Sequence, residues 1–146
     1  MQYLAMMVMV LFLGLGVQNS LLAAERTYTP ERGTLERKEI DNTLRGAVEK
    51  ELKKPVIFKI DVLKVRNGWA FLRGIPLEKS GKRMDYRGTS YQKLINAGMF
   101  DDWICALLRK ERNGARWRVV VYALGATDVP FVGWVERYHA PPGIFK

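Results

Sequence analysis

A chain of 146 residues with 48% hydrophobic side chains and four tryptophans has the material for one buried core and is too apolar to stay disordered. Its 24 basic residues outnumber its 15 acidic ones, and the formal charge of +9 implies attraction to polyanions in general: nucleic acid, anionic headgroups or acidic cell-wall polymers. The single cysteine, Cys105, excludes an intramolecular disulfide, and one Cys with one His, His139, gives no ligand set for a structural zinc.

No charged side chain precedes Glu25, and residues 4–17 (LAMMVMVLFLGLGV) carry no polar side chain at all. That run is shorter than the roughly 20 residues of a membrane span and reads as the apolar region of a secretory signal, cleaved after Ala24. An uncleaved N-terminal anchor is the alternative: no Lys or Arg precedes the run, and Leu22 is large for its place three residues before the cut. A lipoprotein is excluded, because lipid attachment needs a cysteine just after the run. The expected chain is thus a signal peptide over 1–24, a leader over 25–34 and one domain over 35–146, in the periplasm or secreted.

Residues 35–52 place Ile40, Leu44, Ala47, Val48 and Leu52 on one stripe with charges opposite, which predicts an amphipathic helix that Pro55 prevents from continuing. Val56, Phe58, Ile60 and Val62 alternate with polar residues as a half-buried strand does. Asn67-Gly68 then predicts a tight hairpin turn into a second strand from Trp69, closed by Pro76. Residues 78–90 (EKSGKRMDYRGTS) read as a long surface loop, with a short helix over 91–97 after it. The segment 103–108, apolar on both faces, predicts a central strand, and a second Asn-Gly turn at Asn113-Gly114 leads to a fourth strand over 117–124, again apolar on both faces. Thr127-Asp128-Val129-Pro130 reads as a helix start with Asp128 as cap, and Phe131, Trp134, Val135 and Tyr138 follow at helical spacing.

The simplest packing of this order is an α+β domain: a four-stranded antiparallel sheet with two Asn-Gly hairpins, packed on one face by an N-terminal helix and a short C-terminal helix. By element order the arrangement resembles the cystatin-like and nuclear-transport-factor-2-like rolls. The phrases WAFLRG (Trp69 to Gly74), ALLRK (Ala106 to Lys110), WRVV (Trp117 to Val120) and GATDVPFVGW (Gly125 to Trp134) resemble a family of small secreted proteins of Gram-negative bacteria with no assigned activity. The resemblance implies export and a single domain, and it carries over no catalytic residues.

The basic cluster Lys79, Lys82, Arg83 and Arg87, interleaved with Tyr86 and Tyr91, is the candidate contact site: charge and stacking together suit an anionic partner. A solvated polar loop is the competing reading. The function this implies is a non-catalytic binding module for an anionic envelope polymer or a protein, with no cofactor, no metal and no specific nucleic acid. Two alternatives stand beside it. A small enzyme would use Asp101 or Asp128 as an acid–base group in a pocket. A structural or chaperone-like protein would dock a partner through Phe131, Trp134 and Tyr138. Cys105 lies mid-strand and His139 at a helix end, placements that suit core and helix dipole better than a thiolate–imidazole pair. No nucleotide-binding, metalloprotease or nucleophile-elbow motif occurs.

Overall fold

A computed structural model of the protein describes residues 26–114 and 116–146, so the expected signal segment over 1–24 lies outside the described residues. Helix α1 spans Leu35–Leu52. It starts where the Thr34 hydroxyl accepts from the Arg37 N–H at 3.4 Å and ends at Lys53, whose left-handed backbone (φ 55°) lets its N–H reach the Glu49 carbonyl at 2.8 Å. Ile40, Leu44, Val48 and Leu52 form the buried stripe that the spacing predicts.

Four antiparallel strands follow in the order β1-β2-β3-β4: β1 Ile57–Arg66, β2 Trp69–Leu77, β3 Ile104–Lys110 and β4 Trp117–Leu124. Asn67 (φ 50°) and Gly68 (φ 72°) join the paired residues Arg66 and Trp69 as a two-residue turn with both φ angles positive. Asn113-Gly114 lies in a wider loop, closed by the Glu111 N–H on the Arg116 carbonyl at 2.8 Å. Between β2 and β3, helix α2 spans Tyr91–Asn96.

Two local departures from the expected strands have physical causes. The register slips between Ile60 and Val62, so Phe58 and Ile60 face α1 while Val62, expected on their face, turns to the other side. Close by, a Cβ on Gly74 would lie 2.5 Å from the Lys59 carbonyl oxygen, so only glycine fits this strand approach. Pro76 does not close β2 but lies within it, buried opposite Phe58. Pairing of β2 with β3 stops at Gly74, so Pro76 occupies a stretch with a strand on one side only, where no donor is missed.

The larger correction concerns the layers. Helix α1 covers one face of the sheet over Leu72, Ala106 and Leu108, but the C-terminal segment covers the opposite face. That segment is a 3₁₀ turn, Pro130–Gly133, then helix α3, Trp134–Tyr138, then a second 3₁₀ turn, Pro142–Phe145. Asp128 makes no capping bond; Val129 stands at the cap position without one. On this second face the Phe71 ring lies 4.9 Å from both Phe131 and Phe145, with Trp134 and Ile144 buried around them. Strands apolar on both sides require cover on both sides, and the helix pair supplies it.

The segment expected as a leader is tied down as well. Tyr28 pairs with Val65 on the outer edge of β1, at 2.9 and 2.7 Å, and its hydroxyl donates to Glu36. That covers part of an otherwise free strand edge.

Candidate functional site

Residues 78–90 do not form a solvated loop throughout. The chain turns back on β2 through a bridge between Leu77 and Arg83 and then dips under the sheet, burying Met84 and Tyr86. Tyr86 is 5% exposed and its hydroxyl donates to Asp102 at 3.0 Å; burial pushes its ionisation far up, and the Asp102 charge adds to that. Tyr91 is half-buried and donates to Glu51 at 2.6 Å, while Tyr122 donates to the same carboxylate. Neither Tyr86 nor Tyr91 is placed to stack on a ligand. Arg87 forks onto Asp85 at 2.7 to 3.0 Å, and these hydrogen bonds hold the Asp85 carboxyl well below the usual carboxylate range. The loop is left with three exposed cations, Lys79, Lys82 and Arg83, that make no ion pair among the described residues.

A denser cationic surface lies at the other end of the sheet. Arg66 pairs with Trp69, Trp69 with Arg109 and Arg109 with Arg118, so one row crosses all four strands. Directly opposed side chains share a face. The Arg109 guanidinium lies 4.6 Å from the centre of the Trp69 ring, and the ammonium of Lys110 lies 5.7 Å from the Trp117 ring. Arg112 and Arg116 stand exposed on the connecting loop, where Glu111 is the acidic residue. None of these basic groups makes an ion pair among the described residues. The hollow lined by Arg109, Lys110, Glu111, Arg112 and Arg118 holds about 300 Å³, with four basic side chains to one carboxylate. Two arginines directly opposite each other cost stability, on the order of 0.2–1 kcal/mol. Arg66 is half-buried, and its Nε is buried without a partner. The signal was present in the sequence, with five basic residues between positions 109 and 118, but it falls across a turn and becomes a surface only through the register.

A cleft of about 510 Å³ opens on the second face, at the end away from both hairpins, where the C-terminal segment stops covering the sheet. Ile75 forms its floor, and Trp103, Phe131 and Val129 its walls. Lys59, Asp102 and the Arg73–Asp61 ion pair, at 2.9 Å, stand around it. The Trp103 indole N–H donates to the Ala126 carbonyl at 2.6 Å and holds the ring in place. Asp101 and Asp128 are exposed and do not line this cleft, so the arrangement required for them as pocket acid–base groups is not formed. Phe131 and Tyr138 are half-buried and Trp134 buried, spent on covering the sheet and not presented as a docking patch.

Cys105 is fully buried in β3 opposite Arg73, and burial pushes its thiol up to about 12; it is no nucleophile in this setting. No group of three His, Cys, Asp or Glu residues is placed to hold a metal ion among the described residues. No helix among them is long and apolar enough to cross a membrane. No protein-family model, no curated protein and no solved structure matches this chain.

Proposed function

We propose that the protein is an exported, non-catalytic binding module for an anionic polymer of the cell envelope, and that the two-hairpin end of the sheet makes the contact. The observation that carries this reading is the register row Arg66–Trp69–Arg109–Arg118, extended by Arg112 and Arg116, with no carboxylate ion-paired to it among the described residues. Like charges aligned across strands oppose folding and are relieved by a polyanion that neutralises several at once. Guanidinium forks suit phosphate and carboxylate groups, and the stacking of Arg109 on Trp69 pre-orders one of them. The uncharged opening segment and the resemblance to small secreted bacterial proteins support the envelope as the compartment. The exposed Lys79, Lys82 and Arg83 form a weaker second contact at the opposite end.

The test uses mature protein recovered from the envelope fraction, beginning at Glu25, with long-chain polyphosphate as probe. Replacing Arg109 and Arg118 together with serine is expected to weaken binding about tenfold at low salt, and replacing Lys79, Lys82 and Arg83 to weaken it less. The reverse order places the site at the loop and overturns the assignment. Absence of binding by the unaltered protein, or its recovery intact from the cytosol, ends the proposal.

A further inference from the structure

We propose that the cleft beside Trp103 is a separate binding site, for a short zwitterionic peptide of about three residues with an apolar central side chain. The charges around the cleft sort into one satisfied pair and two open groups. Arg73 and Asp61 neutralise each other, with Arg73 Nε donating to Asp61 at 3.0 Å. The Lys59 ammonium makes no ion pair or hydrogen bond among the described residues. Among the described residues Asp102 accepts the neutral Tyr86 hydroxyl at one oxygen, and no cation faces it in an ion pair. The cleft is therefore lined by an ammonium without an ion pair, Lys59, and by a carboxylate without a cation, Asp102, which is held at one oxygen by Tyr86, with apolar Ile75, Trp103 and Phe131 beside them.

Their separation sets the ligand. Lys59 lies on β1, level with Ile75 of β2, and Asp102 lies two residues before the start of β3 on the far side of β2. Two strand spacings amount to roughly 10 Å. An extended tripeptide spans about 10 Å between its amino and carboxyl ends. Bound across the cleft, its carboxylate meets Lys59, its ammonium meets Asp102, and its middle side chain drops between Ile75, Trp103 and Phe131. A simple amphipathic acid would use Lys59 and leave Asp102 unanswered. The site does not depend on the hairpin end, which lies at the opposite end of the strands.

The experiment follows the Trp103 indole N–H resonance in the full mature protein during titration with Ala-Phe-Ala, with its N-acetylated form and with its C-terminal amide. The free peptide is expected to move the Trp103 signal while those of Trp69, Trp117 and Trp134 stay in place. Blocking either end should weaken binding about fivefold to tenfold. In Lys59→Gln the amide should bind as well as the free peptide, and in Asp102→Asn the acetylated peptide should; the asparagine still accepts from Tyr86. No Trp103 shift at about 5 mM peptide (the range of millimolar affinity) overturns the proposal. So does equal binding of free and blocked peptides, or 3-phenylpropionate binding as tightly as the tripeptide. Should Asp102→Asn fail to fold, the acetylated peptide on the unaltered protein decides the same point. Arg109→Ser with Arg118→Ser should leave this titration unchanged.

Discussion

Cys105 shows how a residue's chemistry is set by where the ladder places it. It lies in β3 between Arg73 of β2 and Ala123 of β4, with no exposed surface. Burial raises its ionisation from 9.0 to about 12, outweighing the backbone contact with Ala123 and the nearby Arg73 charge, which pull the other way. The unfolded chain therefore loses this proton near 9.0 while the native protein holds it to about 12. Between those values the unfolded state binds fewer protons, and stability falls as pH rises. Cys105→Ala is expected to make the urea-unfolding free energy less steep against pH across that window than in the unaltered protein. Iodoacetamide should alkylate the thiol only after unfolding. Equal alkylation rates in native and unfolded protein would contradict the burial. The inert character of this thiol was legible in its setting, between Ile104 and Ala106 in an apolar run. The buried role of Met84 and Tyr86 was not, because each stands alone among polar residues and no periodicity marks it. Their burial follows from the open lower end of the core, which some side chain must cover.

At the scale of elements, the most legible were those with a strong local period or a committed turn. Helix α1 has the expected bounds because Thr34 caps it, four apolar residues repeat at helical spacing and Pro55 follows. The first hairpin forms at Asn67-Gly68 because few other residue pairs take two positive φ angles cheaply. Elements set by tertiary pairing were read less well. The bulge near Asp61, the persistence of β2 through Pro76 and the 3₁₀ start of the C-terminal segment each depend on what lies alongside. Two helix ends carry residual strain: Lys53 after α1 and His139 after α3 take left-handed conformations, at φ 55° and 56°. A side chain there costs about 1–2 kcal/mol, of which glycine's greater freedom in the unfolded chain returns about half. Lys53→Gly and His139→Gly are each expected to raise the unfolding free energy by about 0.5–1 kcal/mol. Ala47→Gly within α1 should lower it by about 1 kcal/mol. Thermal melts of the three variants check the sign: a loss at Lys53 would mean that its side chain contributes more than its backbone costs.

The whole molecule is a sheet covered twice, and that arrangement separates its two candidate surfaces. Both hairpin turns lie at one end with the arginine row, and the cleft with Lys59 and Asp102 lies at the other. Runs that are apolar on both faces, as in β3 and β4, carried the requirement for two covers. The element order alone did not say that the C-terminal segment would cross to the face opposite α1. If each cover is a full core layer, removing one large side chain from each should cost alike. Leu44 on the α1 side and Ile144 on the C-terminal side are both completely buried. Leu44→Ala and Ile144→Ala are each expected to cost about 3 kcal/mol in chemical unfolding. With the sheet between them the two sites share no neighbours: Leu44 packs in the cluster with Leu72 and Leu108, and Ile144 in the cluster with Phe71 and Leu107. The double variant should therefore lose the sum of the two to within about 0.5 kcal/mol. A cost under about 1 kcal/mol at Ile144 would make the C-terminal segment a loosely held flap, and the wall that Phe131 gives the cleft would then open with it.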